Sequence, residues 1–270
     1  MKSVLKDLLV PLAKPLLSKI HRFKDAHRGE SCYLMGDGIS VKWFDLGAFG
    51  DKTAIPCAFI PFHNDFNKLS VQYLSIAEPW WFYPWERDPA TIGKYSANPR
   101  QLAYRGIIDK YQDKDFFINL SNYPVLNKKN ITYLFRDFHD KRLPENFITR
   151  RINGFHGSLK SSISLAIYMG FDHVYLVGYD YTHVPCRNLH WYEKGQGIIR
   201  SNENYNKDFF EIAKEFIDIT TITLDGRSDF INAVTYKEHT GREPIYRENT
   251  ELVDEKFLKV LATWSGYTIY

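Results

Sequence analysis

The stretch GFHGSLKSSISLAIYMGFDHVYLVGYDYT, Gly154–Thr182, decides the fold. After a small-residue turn, apolar side chains recur at helical spacing over Ser158–Met169, and Gly170 ends the predicted helix. The segment His173–Val177 is apolar, which is typical of a buried central strand. It runs directly into Gly178-Tyr179-Asp180-Tyr181. Because ligands bind beyond the carboxyl ends of strands in α/β proteins, we predict a functional site at this turn.

The same strand-and-turn pattern recurs along the chain. Ser31–Met35 reads as a buried strand that runs into the turn Gly36-Asp37-Gly38, a shape with which α/β folds approach phosphates. Further strands are predicted at Thr53–Ile60, Val71–Ala77, Asp115–Leu120 and Ile219–Leu224, and a helix is predicted to start at Phe230–Tyr236. Helical segments alternate with the strands. We therefore predict one Rossmann-like α/β domain over residues 30–270, with a mostly parallel sheet and helices on both faces.

Aromatic side chains make up 16% of the chain, which suits either an aromatic core or a cleft lined with rings. The densest run is Trp80–Trp85 (WWFYPW). It is interpreted either as a satellite hydrophobic cluster or as a wall on which a base or sugar stacks.

Residues 1–29 form a basic amphipathic arm. They contain seven Lys or Arg and two Asp, whereas the rest of the chain is slightly acidic, so no nucleic-acid partner is expected. Leucines recur at helical spacing, interrupted by Pro11 and Pro15. The arm is either a helix packed on the domain or an interfacial helix that makes peripheral contact with an anionic membrane. No apolar run is long enough to span a membrane.

The cysteines Cys32, Cys57 and Cys186 show no metal-binding or disulfide spacing. This pattern predicts a protein of the reducing cytoplasm, either free or at the inner face of the cytoplasmic membrane.

Four segments together, in their order, resemble the bacterial sialyltransferases of lipooligosaccharide synthesis (glycosyltransferase family 42) and the related flagellin and surface-polysaccharide glycosyltransferases. The segments are Gly36-Asp37-Gly38-Ile39-Ser40, Gly157-Ser158 with its helix to Gly170-Phe171, Val174–Tyr181, and Leu224–Ala233. The resemblance covers residues 31–236.

The resemblance implies a GT-A-type transferase of bacterial lipopolysaccharide or capsule synthesis. Such an enzyme moves a sialic-acid-like sugar from a CMP-sugar, or another nucleotide-sugar, to a glycan or glycolipid acceptor, with inversion and without a metal or other cofactor. The donor-binding residues that it implies are Gly36, Asp37, Gly38, His63, Asn64, Glu78, Gly157, Ser158, Tyr181, Tyr192 and Ser228. The chain departs from the family pattern at three positions. Asp37 and Glu78 each stand where the family has an Asn. Thr182 stands where the family has a Tyr that stabilises the leaving phosphate.

Glycosyl transfer needs a base within reach of the acceptor hydroxyl. The segment 183–200 is predicted to be a mobile loop that closes over the site. His190 in this loop is the predicted base, and Glu193 is the alternative. Asp180 is predicted to orient the base or the acceptor. Further candidate bases are His183 and His156.

The sequence is also compatible with two other functions. One is a nucleotide-dependent pyrophosphokinase or phosphotransferase, in which Asp37, Asp180 and Asp225 hold Mg²⁺. The other is a non-catalytic relative that binds a sugar. A homo-oligomer is compatible with each of these functions.

Overall fold

The computed structural model describes residues 13–83, 85–87, 95–97, 99–134, 136–137, 152–153, 158–182, 185–200 and 206–270; at 85–87, 95–97, 136–137, 152–153 and 200 it describes the backbone alone. The strands are β1 (Ser31–Met35), β2 (Thr53–Pro56), β3 (Ser70–Val71), β4 (Tyr73–Ile76), β5 (Trp85–Arg87), β6 (Tyr95–Ala97), β7 (Asp115–Asn119), β8 (Ile131–Leu134), β9 (Arg136–Asp137), β10 (Ile152–Asn153), β11 (His173–Val177), β12 (Cys186–Arg187), β13 (Ile199–Arg200), β14 (Asp218–Thr223) and β15 (Asn232–Thr235). The helices are α1 (Pro99–Lys110), α2 (Ser158–Met169), α3 (Lys207–Ala213), α4 (Tyr236–Thr240), α5 (Asn249–Leu252) and α6 (Glu255–Leu261). Short 3-10 turns lie at Ser18–Phe23, Ile39–Trp43, Leu46–Phe49, Ile60–Phe62, Phe66–Lys68 and Leu120–Asn122.

Six parallel strands form the central sheet, in the order β15-β14-β11-β1-β2-β3. The parallel strands β4-β7-β8 form a second sheet, and a parallel bridge between Cys57 and Ser75 joins the two sheets. The chain moves outward from β1 to β2 and β3, and later returns to β11 on the other side of β1. The strand order therefore reverses between β1 and β11, which is where open α/β sheets bind their ligands.

Alternate side chains of β1 enter two hydrophobic cores on opposite faces of the sheet. Cys32 and Leu34 belong to the core that also contains the apolar residues of α2 and α3, whereas Tyr33 and Met35 belong to the core that contains those of α1, α4 and α6. Both faces are thus covered, and the predicted Rossmann-like arrangement with a parallel sheet is confirmed.

The two elements of the opening stretch have the predicted bounds, Ser158–Met169 and His173–Val177. The helix α2 ends where Gly170 adopts a φ of +84°. There the N–H of Gly170 donates to Ile167 O and that of Phe171 to Ala166 O, the paired bonds that close a helix C-terminus. The local sequence was sufficient here because both the periodicity and the glycine stop act over a few residues.

Three predicted elements were wrong. The single strand predicted over Val71–Ala77 is split between two sheets, with Val71 in β3 and Tyr73–Ile76 as β4. The strand predicted over Thr53–Ile60 ends at Pro56, because the chain turns at Ala58, whose φ is +42°. The helix predicted to start in Phe230–Tyr236 begins at Tyr236, behind a capping box formed by Thr235 and Glu238. The residues before it pair with β14 as the edge strand β15, since the exposed edge of a parallel sheet accepts a short extra strand.

Residues 13–23 of the basic arm pack on the domain. Leu17, Ile20 and Phe23 are buried, and Lys19 Nζ donates to the backbone carbonyl of Ile131 on β8 at 2.6 Å. Arg22 forms an ion pair with Asp115. Residues 1–12 lie outside the described residues, so the membrane interpretation of the arm remains a prediction. In the described part of the chain, no helix combines the length and apolarity that crossing a membrane requires.

Candidate active site

A cavity of about 350 Å³ lies at the carboxyl ends of β1 and β11, where the strand order reverses. Residues that follow β1, β2, β4 and β11 form its floor, and the first residues of α2 and the loop after β12 form its sides. Eight of the predicted site residues line it, namely Gly36, Asp37, Gly38, Glu78, Ser158, Tyr181, His190 and Tyr192. Other lining residues include Phe59, Trp81, Tyr179, Thr182, Asn206 and Tyr267. The predicted edge of the sheet, at the strand carboxyl ends, therefore coincides with a cavity.

The glycines of the turn after β1 serve close packing. The N–H of Gly36 donates to Val177 O at 2.7 Å, and that of Gly38 donates to Gly178 O at 2.6 Å. A Cβ added at Gly36 would lie 2.5 Å from Gly178 O. Both amides are thus already paired within the protein. The glycines thus let the turns after β1 and β11 touch, and the predicted contact of this turn with a nucleotide remains a prediction.

We expect Gly38→Ala to lower the free energy of unfolding by about 1–3 kcal/mol. The added Cβ would lie 2.2 Å from Asp180 Oδ2 and 2.6 Å from Gly178 O, so a backbone segment has to move. Urea denaturation measures the change. Gly106→Ala is the matched control, because a Cβ there meets nothing within 4 Å and alanine favours the helix by about 0.5–1 kcal/mol. Equal stability of the Gly38 variant and the parent would contradict the close contact.

Asp37 faces the cavity on one side, but its carboxylate binds protein groups. Oδ1 accepts from the indole N–H of Trp191 at 3.0 Å, and both oxygens accept from the N–H of Phe59. Burial raises the pKa of Asp37 to about 6, although the charge of His190 and these donors act in the opposite direction. Asp37 therefore ties the turn after β1 to the turn after β2 and to the loop that carries His190.

His190 is held by Glu193. Its Nδ1 lies 2.7 Å from Glu193 Oε2, which also accepts from the backbone N–H of His190 at 2.8 Å. Burial opposes ionisation of Glu193, yet hydrogen bonds from His190 and from the N–H of Thr268 lower the pKa of its carboxyl. An ionised carboxylate only accepts hydrogen bonds, so Nδ1 carries the proton of the neutral imidazole, the form that has its lone pair on Nε2. Glu193 does not line the cavity; it orients His190 instead of acting as the alternative base.

Three tyrosines surround the imidazole of His190. Tyr192 stacks on it at 5.0 Å between ring centroids, Tyr181 lies at 5.2 Å, and Tyr267 meets it edge-on at 5.5 Å. The hydroxyls of Tyr192 and Tyr267 form a hydrogen bond with each other, and Tyr267 also binds Arg100. Burial raises the pKa of Tyr192 well above its ordinary value. These phenols therefore stay protonated; within the pair, Tyr192 donates its hydroxyl hydrogen to Tyr267, and the O–H of Tyr267 is left for a further acceptor.

The helix α2 begins at the cavity with Ser158 and Leu159. The first amides of a helix have no partner within it and carry a partial positive charge, which favours an anion. The predicted residue Gly157 and the candidate bases His156 and His183 lie outside the described residues.

Asp180 follows β11 and is buried beneath the cavity. Its Oδ2 accepts from the N–H of Ser40 at 2.8 Å and would collide with any Cβ at Gly38. Asp180 thus supports the turn after β1. Its predicted role as a catalytic residue remains a prediction.

The structure does not bring three predicted donor-binding residues to the cavity, and this assignment is corrected. His63 is buried, packs against Trp191 and accepts from the N–H of Asp65 through Nδ1. Asn64 binds the backbone of Glu251. Ser228 lies in the turn after β14, away from the lining residues. His63 and Asn64 were misassigned because β2 ends earlier than predicted. Residues 57–59, and not 63–64, come directly after that strand.

The magnesium ligands of the alternative function are not assembled. Asp225 binds Thr223 and does not line the cavity, and both oxygens of Asp37 accept from protein donors. Within the described ranges, no group of three or more His, Cys, Asp or Glu side chains is arranged to hold a metal ion.

The run WWFYPW fits both of its interpretations in part. Phe82 is fully buried and Trp81 packs on Tyr104 at 5.3 Å, so these rings form a hydrophobic cluster. Trp81 also lines the cavity. Trp80 is 62% exposed, and Pro84 lies outside the described residues.

Sequence reasoning missed Phe59, Asn206 and Tyr267 in the cavity lining. Phe59 had a usable signal, since it follows β2 at once when that strand ends at Pro56. No sequence signal pointed to Tyr267, because it lies far along the chain from every other lining residue.

No family model and no curated protein sequence matches this chain. Solved structures that resemble it include Campylobacter jejuni sialyltransferases. CstII with the substrate analogue CMP-3FNeuAc is 13% identical, with 87% of this chain and 99% of that chain covered and a TM-score of 0.41. CstII with cytidine-5'-monophosphate is 12% identical, with 88% and 99% covered and a TM-score of 0.44. An alpha-2,3-sialyltransferase in apo form is 13% identical, with 87% and 94% covered and a TM-score of 0.43. Likeness at this level does not establish a shared function.

Proposed function

We propose that the protein is a glycosyltransferase that moves a sugar from a CMP-sugar to a hydroxyl of a glycan or glycolipid acceptor. The observation that carries the proposal is the His190–Glu193 pair in a ring-lined cavity at the reversal of the strand order. The sequence motifs of the sialyltransferase family add support.

His190 is the general base in this proposal. Glu193 holds Nδ1–H, so Nε2 is the ring nitrogen able to take the proton of the acceptor hydroxyl. The ionised Glu193 then stabilises the imidazolium that forms, as the third member of a catalytic triad does.

The donor phosphate lies between the start of α2 and the tyrosine hydroxyls. Tyr267 donates to a phosphate oxygen as the glycosidic bond breaks, while Tyr192, which donates to Tyr267, and the cation of Arg100 polarise its hydroxyl. These phenols take over the role of the family tyrosine that Thr182 replaces, since the Thr182 hydroxyl donates to Tyr179 O at 2.6 Å.

The charges of the lining favour a donor with one phosphate. Among the described residues that line the cavity there is no Lys or Arg, whereas Asp37 and Glu78 are acidic. A nucleoside diphosphate sugar brings two phosphates and needs a cation to offset them. A CMP-sugar has a single phosphodiester, which the helix start and the phenols can offset. Negative charge from Glu78 also suits an oxocarbenium-like sugar in the transition state.

The remaining parts of the proposal are inversion at the sugar, independence of metal ions, and action on cell-surface glycans at the inner face of the cytoplasmic membrane. An in-line attack by an acceptor hydroxyl activated by His190 gives inversion. The basic residues 1–29 suit contact with anionic headgroups.

The proposal is tested by calorimetric titration of the whole chain with CMP, UDP, GDP and ADP, each with and without Mg²⁺. We expect binding of CMP that does not depend on Mg²⁺, followed by release of CMP from CMP-sialic acid in water, a reaction that needs no identified acceptor. Binding only in the presence of Mg²⁺ would favour a phosphotransferase. A lack of binding to all four nucleotides would favour a non-catalytic relative, and preference for another nucleotide would overturn the CMP part.

A further inference from the structure

We propose that the segment Tyr267–Ile269, anchored by Asn249, is a positioning element that fixes the orientation and tautomer of His190 through Glu193. Its catalytic consequence rests on the proposed function. The effect on the imidazole does not, because it is a property of the folded protein alone.

The segment and the loop of His190 are joined by two hydrogen bonds of the Thr268 backbone, which donates one bond to a side chain and accepts one from a backbone amide. The N–H of Thr268 donates to Glu193 Oε1 at 3.0 Å. The N–H of Lys194 donates to Thr268 O at 2.7 Å. Glu193 and Thr268 are 75 residues apart, so this contact is made by the fold and not by local sequence.

Asn249 locks the two segments together. Its side-chain amide donates to Tyr192 O at 3.0 Å on the loop and to Ile269 O at 3.1 Å on the tail segment. Asn249 is 2% exposed and Ile269 is 4% exposed. A buried amide that binds one carbonyl on each segment holds both at a set separation, since leaving either unpaired is costly.

The carboxylate of Glu193 is thereby oriented from both sides. Oε2 accepts from the backbone and the ring of His190, and Oε1 accepts from Thr268. Removal of the Thr268 donor frees Oε1, so the carboxylate can rotate about its terminal bond and the Nδ1–H contact weakens. A base that is displaced by about 1 Å can lose about 100-fold in rate.

Aromatic contacts also connect the segment Tyr267–Ile269 to the loop of His190. Tyr267 lies edge-on against both His190 and Tyr192, at 5.5 and 5.1 Å. The segment therefore contributes one cavity-lining residue and one backbone donor to the site, so that part of the site comes from residues far along the chain.

The experiment compares Thr268→Pro, which removes the N–H, with Thr268→Ala, which keeps it. The ring nitrogens of His190 are observed by 15N NMR in the whole chain without any ligand. We expect Thr268→Ala and the parent to show the Nδ1–H tautomer of His190, and Thr268→Pro to show a mixture with the Nε2–H tautomer. With CMP-sialic acid, we expect kcat of Thr268→Pro to fall by about 10- to 100-fold with little change in KM.

An unchanged His190 tautomer in Thr268→Pro would overturn the proposal. If Thr268→Pro does not fold, an α-hydroxy acid at position 268 replaces the N–H by oxygen without adding a ring, and the same spectra decide. An altered tautomer in a protein that never releases CMP would support this inference and count against the proposed function, so the two failures are distinguishable.

Discussion

His190→Ala is expected to reduce the release of CMP from CMP-sialic acid by about 10²- to 10⁴-fold, the usual contribution of a positioned acid–base group. The binding of CMP should change little, because the proposed phosphate donors are the start of α2 and the phenol of Tyr267. Turnover is measured by CMP release, and affinity by calorimetry on the same protein.

A matched control separates loss of the base from loss of a histidine ring. His239→Ala removes a half-buried histidine that binds Tyr33 and lies on α4, away from the cavity. It should leave turnover unchanged. If His190→Ala retained full turnover, His190 would not be the base. If it lost CMP binding as well, its role would be structural.

Asp37→Asn is expected to change how stability depends on pH. Burial favours the neutral carboxyl, and the pKa of Asp37 is about 6 in the folded protein against 3.8 as its ordinary value. The folded chain therefore binds this proton more tightly than the unfolded chain. The stabilisation is complete below the unfolded value and is lost as the pH rises through about 6.

The size of this effect follows from the same values. The difference between the folded and the ordinary pKa of Asp37 corresponds to a change in the free energy of unfolding of at most about 3 kcal/mol. Because Asp37 faces an open cavity, we expect a change of about 1–2 kcal/mol. An asparagine that keeps an oxygen at the Oδ1 position still accepts from Trp191 and Phe59. Relative to the parent, Asp37→Asn should therefore gain stability between about pH 4.5 and about pH 7.5, as measured by urea denaturation.

Asp51→Asn provides a control of opposite sign. Hydrogen bonds from Lys52 and Tyr33 outweigh burial and lower the pKa of Asp51, so its contribution is present above the unfolded value and is lost as the pH falls. Relative to the parent, this variant should lose stability as the pH rises. A stability difference for Asp37→Asn that stays constant with pH would contradict the buried carboxylate.

Much of the fold was accessible from local patterns. The helix Ser158–Met169 and the strands Ser31–Met35 and His173–Val177 have the predicted bounds, because periodicity and a glycine stop act within a few residues. The cavity was located for a general reason, since the carboxyl ends of parallel strands meet at one edge.

The roles of individual residues were less accessible. Gly36 and Gly38 were predicted to approach a phosphate, and in the structure they allow two turns of the protein to touch. Glu193 was predicted as an alternative base, but it orients His190. The glycines meet the turn after another strand, and Glu193 has its second partner, Thr268, 75 residues along the chain.

The order of residues along this chain was enough to define a parallel α/β sheet, the edge at which the cavity lies, and a loop that carries His190. Which side chains meet at that edge depended on the packing of segments distant in sequence. Thr268 reaches Glu193, and Trp191 reaches Asp37, only in the folded chain. Strand and helix formation is governed by neighbours in sequence, whereas the hydrogen bonds that orient a base are formed when distant segments are buried together.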